Sequence, residues 1–372
     1  MTFKELFKNY IYPIAVFSGG MIGVGFLSLP YIALNAGIWL MTAYFLVITT
    51  LTIIINLIFC KISLKTPDQK RFPGFVEYYL GRGAKFLAMI STVLGAFGVL
   101  LAFLLVGSQF LVSVFQPILS GTVLIYVLVY FFIVSIVIYF DIKIVSKTAF
   151  WVISLIFLSL ILIFVEGFAQ IKISNIFIGD WTHEFFLPYG PLLFALWGIG
   201  LIPEVEEMLV GQKKKLNAIA VISIVITSIF YFLFVILILG ITGSKTDPTA
   251  LAGLKGFLPD YVVSASLLAG ALATFTAFVS QGIILKKTLM FDLKIKHWHA
   301  FVMTCCPPLI FFLLGFKDFI PLLSFIGGVL FGINGILILL MYKKIGGKKI
   351  VVYPLSLVFL LGIIYEVIYF IK

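Results

Sequence analysis

Long apolar segments separated by short polar loops recur along the whole chain. Eleven of them approach or exceed the roughly 20 residues that a helix needs to cross the hydrocarbon core of a bilayer. Only 11% of the 372 residues are charged, against roughly 25% in soluble domains. The sequence therefore predicts an all-α integral membrane protein, a single domain over residues 1–372 embedded in the lipid bilayer. The segments cover residues 11–34, 37–64, 84–119, 122–140, 148–168, 185–210, 216–241, 260–289, 299–315, 319–342 and 350–371.

The positive charges support this count. If the N-terminus is cytoplasmic, the 26 Lys and Arg residues fall on the cytoplasmic side, with the exceptions of Lys172, Lys245, Lys255, Lys317 and Lys372. Cytoplasmic loops favour Lys and Arg, and one missed or invented helix would scramble this alternation. We expect a multi-pass protein of the cell membrane with its N-terminus inside and its C-terminus outside. Nucleic-acid binding is not indicated, because the net charge of +11 is spread over short loops.

Four glycines lie in the middle of the first segment: Gly19, Gly20, Gly23 and Gly25. Glycine costs about 1 kcal/mol relative to alanine in a helix interior. Free main-chain groups at bilayer depth are tolerated only where they are buried in protein or line a cavity. The stretch predicts a helix that is broken so that its N–H and C=O groups can face a ligand. The alternative is a helix-packing face, since Gly19 and Gly23 also form a GxxxG pattern.

The sixth segment is interrupted as well, by Gly198, Gly200 and Pro203 near its middle. Proline removes a helical N–H and clashes with the preceding turn. Segments one and six are five spans apart, so they run in opposite directions through the bilayer. Interrupted helices at matching positions of two halves indicate an inverted-repeat transporter whose site lies near the membrane midplane.

These two stretches resemble a known group of proteins. The run Gly-Met-Ile-Gly-Val-Gly at 20–25, followed by Leu29-Pro30 and Gly37, is similar to the first-helix signature of amino-acid permeases in the APC superfamily. The nearest resemblance is to the bacterial aromatic and hydroxy amino-acid permeases and to the amino acid/auxin permeases. Leu201-Ile202-Pro203 is similar to their broken sixth helix. The aromatic group typically has a histidine in that break, where this chain has Ile199, so the substrate type stays open.

The resemblance implies a LeuT-like fold of eleven transmembrane helices. In such a fold two five-helix repeats are inverted relative to each other, helices one and six are discontinuous, and one extra helix follows at the C-terminus. The repeats and the extra helix would cover residues 11–168, 185–342 and 350–371.

A broken helix could bind both ends of an amino acid. Half-helix N-termini offer N–H groups for a carboxylate, and half-helix C-termini offer carbonyls for an ammonium group or Na⁺. We expect N–H groups within 20–25 to hold the carboxylate and carbonyls within 196–198 to hold the amino group. Trp197 would lie against the substrate side chain, close over it, or simply pack among apolar residues. The resemblance, taken position by position, implies substrate contacts at Gly20, Met21, Gly23, Val24, Gly25, Trp197, Gly198 and Gly200.

Na⁺ and H⁺ are both candidates for the coupling ion, and no other cofactor or metal is expected. In related folds the eighth helix lends hydroxyls to a sodium site. The candidates here are Thr274, Thr276 and Ser280, with the carbonyls of Gly19 and Ile22. The alternative is that these hydroxyls bond to their own helix, as Ser and Thr commonly do.

A proton would need a carboxylate at depth, where ionised groups are costly and usually functional. Glu204 follows the second break, and would be a proton site or half of a gate pair with Lys147. The alternative is that it caps its half-helix. Glu366 lies near an outer segment end, where we expect its carboxylate to reach the interface.

The favoured function is a secondary active transporter of an amino acid, aromatic or otherwise large and neutral, coupled to H⁺ or Na⁺. A second hypothesis is an amino-acid sensor with the same fold, like the membrane subunits of spore germinant receptors. Net substrate flux would separate the two. The sequence has no Gly-Lys-Ser/Thr nucleotide motif, no catalytic cluster at depth that would suggest an enzyme, and no ring of charges typical of a channel.

Overall fold

The computed structural model describes residues 3–67, 70–140, 144–179, 184–209 and 211–371. Within these ranges the regular elements are helices and no β-strand forms. An apolar segment can satisfy its main-chain groups without water only inside a helix or a closed barrel, which explains the dominance of helices. In chain order they are α1 (Phe3–Leu6), α2 (Tyr12–Met21), α3 (Gly25–Ala36), α4 (Ile38–Lys65), α5 (Phe72–Leu80), α6 (Arg82–Leu119), α7 (Val123–Tyr139), α8 (Ile144–Gly167), α9 (Ile173–Ile176), α10 (Tyr189–Ala195), α11 (Ile202–Met208), α12 (Leu216–Thr242), α13 (Asp260–Asp292), α14 (His297–Leu313), α15 (Phe319–Ser324), α16 (Gly332–Lys344) and α17 (Lys349–Ile371).

Several of these helices are suited to crossing a membrane. Among the described residues, 6 are long and apolar enough, or 7 if the bent pair α2 and α3 counts as one span. α7 and α14 are apolar but shorter, and α10 and α11 are brief pieces on either side of a break. The chain is therefore a multi-pass, all-helical membrane protein, and the count of eleven spans stays a prediction.

The predicted break in the first segment is confirmed. The helical axes bend by 60° between the pieces Asn9–Met21 and Gly25–Ala36. α2 ends at Met21, and Ile22 leaves the helical region with φ −73° and ψ 89°. The break itself spans 22–24, so it is shorter than the glycine run. Gly19 and Gly20 stay in the last turn of α2, where four carbonyls lack an intrahelical partner in any case.

The second break is confirmed at Gly198 and Gly200. α10 ends at Ala195 and α11 begins at Ile202, with a 3₁₀ turn, Ile199–Leu201, between them. Pro203 lies outside the break, in the first turn of α11. A proline is well tolerated there, because the first-turn N–H groups have no intrahelical acceptor.

The first half of segment six, α10, packs closely on the tenth segment. A π-helical stretch, Phe325–Phe331, joins α15 to α16. A Cβ on Gly327 would overlap the carbonyl oxygen of Gly190 in α10. Glu366 of α17 lies against the same contact, beside Gly190 and Gly328. The expectation that Glu366 reaches the interface is wrong, since it is only 2% exposed. The glycines leave a cleft between helices into which its side chain fits.

Gly327→Ala is expected to destabilise the protein, because the new methyl group would meet main-chain atoms that cannot rotate away. Overpacking of this kind typically costs about 1–3 kcal/mol. The thermal midpoint of the detergent-solubilised protein would measure it. Gly83→Ala is the matched control, since a Cβ there meets nothing within 4 Å. Equal midpoints for the two variants would contradict the close approach.

Candidate substrate-binding site

The two helix breaks lie in contact with each other. An added Cβ on Gly25 would come within 2.7 Å of Phe194 Cδ1 and 3.3 Å of Ala195 Cα, at the end of α10. A Cβ on Gly198 would lie 2.6 Å from Phe17 Cε1. A Cβ on Gly20 would lie 2.6 Å from Leu201 Cδ2. Glycine is therefore favoured in both segments at this contact. The predicted residues of segments one and six are brought together.

The first break offers main-chain donors beside open space. α3 begins at Gly25, and the first N–H groups of a helix lack intrahelical acceptors. Gly23 has no positive φ, and a Cβ on it would meet only the Met21 carbonyl oxygen, at 4.0 Å. Val24 is buried while Gly23 is half-buried. A carboxylate could therefore approach the N–H groups at 23–25 from the Gly23 side.

Three aromatic rings line the second break. The ring of Phe331, at the end of the π-helical stretch, stacks on Trp197 with centroids 5.0 Å apart and planes 16° apart. It also stacks on Phe194, at 5.9 Å and 1°. All three side chains are half-buried. Trp197 thus belongs to a stack that is still accessible from one side, which suits contact with another flat apolar group.

Tyr231 of α12 ties the two breaks together. Its hydroxyl donates to the carbonyl of Met21 at 2.8 Å and contacts the carbonyl of Ala195 at 3.4 Å. Met21 and Ala195 are the last residues of α2 and α10. Tyr231 is fully buried. One hydroxyl therefore satisfies carbonyls at the ends of both broken helices.

The hydroxyls predicted for a sodium site bond within their own helix or lie outside. Thr274 donates to Ala271 O at 2.9 Å, and Thr276 to Ala273 O at 2.9 Å. Ser280 is exposed. α13 packs mainly against α6 and α8. The other proposed ligands, the carbonyls of Gly19 and Ile22, lie at the end of α2 and in the first break.

The buried carboxylate after the second break is Glu206 rather than Glu204. Glu204 is exposed, whereas Glu206 is 3% exposed. Lys213 Nζ lies 2.6 Å from Glu206 Oε1, and the Ser63 hydroxyl donates to Oε2. Glu206 therefore fastens α11 to α4. The side chain of Lys147, the predicted gate partner of Glu204, lies outside the described residues.

A surface cavity lies away from the breaks. It has a volume of about 310 Å³ and is lined by residues that include Lys172, Asn175 and Lys245. The residues in contact at the breaks, by contrast, combine free main-chain donors, helix-end carbonyls and stacked rings. That combination suits a zwitterion with an apolar side chain, so the breaks are the better candidate site.

Three residues of the site were not identified from sequence: Tyr231, Phe331 and Glu206. Phe331 follows the pair Gly327-Gly328, and glycine pairs inside a predicted span could have drawn attention to it. Tyr231 carries no local signal, because Met21 lies 210 residues away along the chain. Glu206 pairs with Ser63, 143 residues away, and with Lys213, 7 residues along.

Known structures share this fold. The structure of MhsT in complex with L-phenylalanine matches with a TM-score of 0.65 and 14% identity, over 96% of this chain and 97% of that one. The structure of Mhp1, a nucleobase-cation-symport-1 family transporter in a closed conformation with bromovinylhydantoin bound, matches with a TM-score of 0.63 and 12% identity, over 88% and 76%. The fold is that of the LeuT-fold transporters.

The sequence gives the family within that fold. It matches the tryptophan/tyrosine permease family over residues 8–354, so the protein belongs to that family of APC-type aromatic amino acid permeases. The predicted resemblance to APC amino-acid permeases is confirmed. No curated protein matches the chain. The family and both structural neighbours are transporters rather than enzymes.

Gly23→Leu is expected to block substrate binding while the fold survives, because the side chain would enter the open space beside the first break. The affinity for a radiolabelled amino acid should fall by at least about tenfold, the loss expected when a ligand group is displaced at a cost near 1.4 kcal/mol. The thermal midpoint should stay within a few degrees of wild type.

Gly25→Ala provides the contrast, since its methyl group would strike Phe194 and Ala195 rather than a ligand. It should lower the thermal midpoint. Full affinity in Gly23→Leu would exclude the main-chain site.

Proposed function

We propose that the protein is a secondary active transporter that moves an aromatic or other large neutral amino acid across the cell membrane by alternating access. The observation that carries this is the contact between two broken helices, with free N–H groups at 23–25 and a stack of rings at Trp197 and Phe331. Family membership supports an amino acid as the substrate class.

Each part of an aromatic amino acid has a partner at the breaks. The carboxylate would accept hydrogen bonds from the main-chain N–H groups of Gly23, Val24 and Gly25. The ammonium group would face main-chain carbonyls at 196–198, beside Gly198. The side-chain ring would extend the stack of Trp197 and Phe331. Gly20, Met21 and Gly200 would complete the walls by their position next to these groups.

The proposed architecture has eleven spans, with two inverted five-helix repeats at 11–168 and 185–342 and an extra helix at 350–371. Support comes from the paired breaks, from the LeuT-fold neighbours and from the alternation of positive charge between loops. The N-terminus would be cytoplasmic and the C-terminus outside.

The driving ion would be H⁺ or Na⁺. A sodium site would use Thr274, Thr276 and Ser280 with the carbonyls of Gly19 and Ile22. It would require α13 hydroxyls to leave the bonds within their own helix. A proton site would use Glu204, whose side chain is exposed at the protein surface.

Uptake into proteoliposomes tests the whole proposal. Labelled amino acids of different size would be offered with and without a Na⁺ gradient and at two pH values. We expect concentrative uptake of aromatic amino acids with one of the two gradients. Binding without net flux would instead indicate a sensor with the same fold.

Phe331→Ala is expected to weaken selectivity for aromatic substrates, because it removes the ring that stacks on Trp197. An aromatic pair contributes about 0.5–1.5 kcal/mol beyond its buried area, so L-tryptophan affinity should fall by roughly threefold to tenfold relative to L-leucine affinity. Phe325→Ala is the control, since Phe325 lies in the same π-helical stretch but its ring contacts Phe370 of α17. An equal shift in both variants would contradict a ring slot at Phe331.

Glu204→Gln tests proton coupling. If Glu204 carries the coupling proton, the variant should exchange substrate but lose the dependence of uptake on a pH gradient, because the amide cannot take up a proton. Glu207→Gln is the matched control, as Glu207 is also exposed and lies three residues further along the same helix. Unchanged pH dependence in Glu204→Gln would remove Glu204 from the coupling mechanism.

A further inference from the structure

One face of α12 packs along α2 as far as the first break. Ser223, Thr227 and Tyr231 are each four residues apart, so they share this face, and the three residues are either fully buried or nearly so. The Ser223 hydroxyl contacts the carbonyl of Ile14 at 3.4 Å, and the Ser18 hydroxyl contacts the carbonyl of Ser223 at 3.5 Å. α12 is thus a support for α2 up to the point where α2 ends.

Tyr231 contacts three of the half-helices that flank the breaks. Its hydroxyl reaches Met21 of α2 and Ala195 of α10. Its ring stacks on Phe26, in the first turn of α3, with centroids 5.5 Å apart and planes 7° apart. The side chain is therefore held by its ring contact and by its hydroxyl, which lies within reach of both carbonyls.

Two helix-end carbonyls that meet in a buried place need a positively polarised partner. The last carbonyls of a helix lack intrahelical donors and carry the negative end of the helix dipole. Broken helices in membranes commonly offer such carbonyls to a monovalent cation. Here the partner is the O–H of Tyr231, which supplies one proton. The carbonyl oxygen of Met21 is the nearer acceptor, and that of Ala195 is the more distant one.

A further oxygen lies one helical turn away on the same face. Thr227 is fully buried, and its hydroxyl has no hydrogen-bond partner among the described residues. Without the phenol hydroxyl, the carbonyls of Met21 and Ala195 would remain as neutral oxygen ligands, with the Thr227 residue about 6 Å further along α12. Hard monovalent cations prefer oxygen ligands of this kind.

We propose that the hydroxyl of Tyr231 occupies the place of a monovalent cation at the junction of the two breaks, and so makes substrate binding there independent of Na⁺. The inference rests on the proposed function, in which the amino acid binds at these breaks. Tyr231 is a positioning residue in this scheme: it holds the ends of α2 and α10 together, and the substrate contacts the neighbouring main chain.

Tyr231→Phe tests the proposal, because it removes the hydroxyl and keeps the ring. Binding of tritiated L-tryptophan would be measured on purified protein in sodium chloride and in choline chloride of equal ionic strength. The wild-type dissociation constant should differ little between the salts. The variant should lose at least about tenfold in affinity in choline, the cost of leaving buried carbonyls unpaired, and recover most of it in sodium.

Tyr126→Phe is the matched control. Tyr126 is a buried tyrosine of α7 whose hydroxyl likewise donates to a main-chain carbonyl, that of Ser120 at 3.2 Å. It should bind like wild type in both salts. If Tyr231→Phe also matches wild type in both salts, or loses affinity equally in both, Tyr231 has a packing role only and the proposal is overturned.

Thermal midpoints without substrate provide an independent measurement. Sodium should raise the midpoint of Tyr231→Phe and leave that of wild type unchanged. Should Tyr231→Phe fail to fold in either salt, a cation cannot replace the hydroxyl, and the proposal is again overturned. Tyr231→His, which keeps a ring N–H donor, should fold without sodium.

The two measurements also separate this inference from the proposed function. A wild-type protein that binds no aromatic amino acid would contradict the proposed function. The sodium dependence of the midpoints would still decide the role of Tyr231.

Discussion

The structure depends on one requirement: main-chain polar groups surrounded by apolar material must find partners within the protein. Intact helices meet it by themselves, and the two broken ones do not. At 22–24 and 196–201 the regular α-helical pattern is interrupted and only isolated bonds remain, such as that from the Leu201 N–H to the Gly198 carbonyl. The main-chain groups that this interruption frees are either satisfied by a neighbour or left for a ligand. Tyr231 satisfies the carbonyl side, through Met21 and Ala195. The N–H side, at the start of α3, stays open toward Gly23.

Close approach of the helices makes this arrangement possible. Gly25 lies against Ala195, Gly198 against Phe17, and Gly327 against Gly190, at separations that leave no room for a side chain. Membrane helices gain little from burying apolar surface against one another, because lipid is equally apolar, so such small-residue contacts dominate their association. The same contacts accompany the stacking of Phe331 on Trp197, where the proposed site would take a substrate ring.

The sequence predicted the helical segments and both breaks because these features are local. A run of apolar residues, a glycine cluster and a proline each act within a few positions of themselves. The limits of the first break, and the place of Pro203 outside the second, depended on helix-end geometry and were missed. Partners distant in sequence give Tyr231, Phe331 and Glu206 their roles. The position of an aromatic or acidic residue within an apolar segment does not indicate which distant residue it will contact. Glu366 was misplaced for the same reason, since the glycines that admit it belong to other helices.

The two halves of segment six are anchored to different parts of the molecule. α10 packs through Gly190 on Gly327 and on Glu366 of α17, whereas α11 is fastened through Glu206 to Ser63 of α4 and to Lys213. The stretch between them has only short turn bonds, such as that from the Leu201 N–H to the Gly198 carbonyl. A substrate bound at the break would contact both halves, of which α10 packs mainly on the π-helical stretch and α3, and α11 on α2 and α4. Alternating access needs such a site, in contact with both moving parts at the same time.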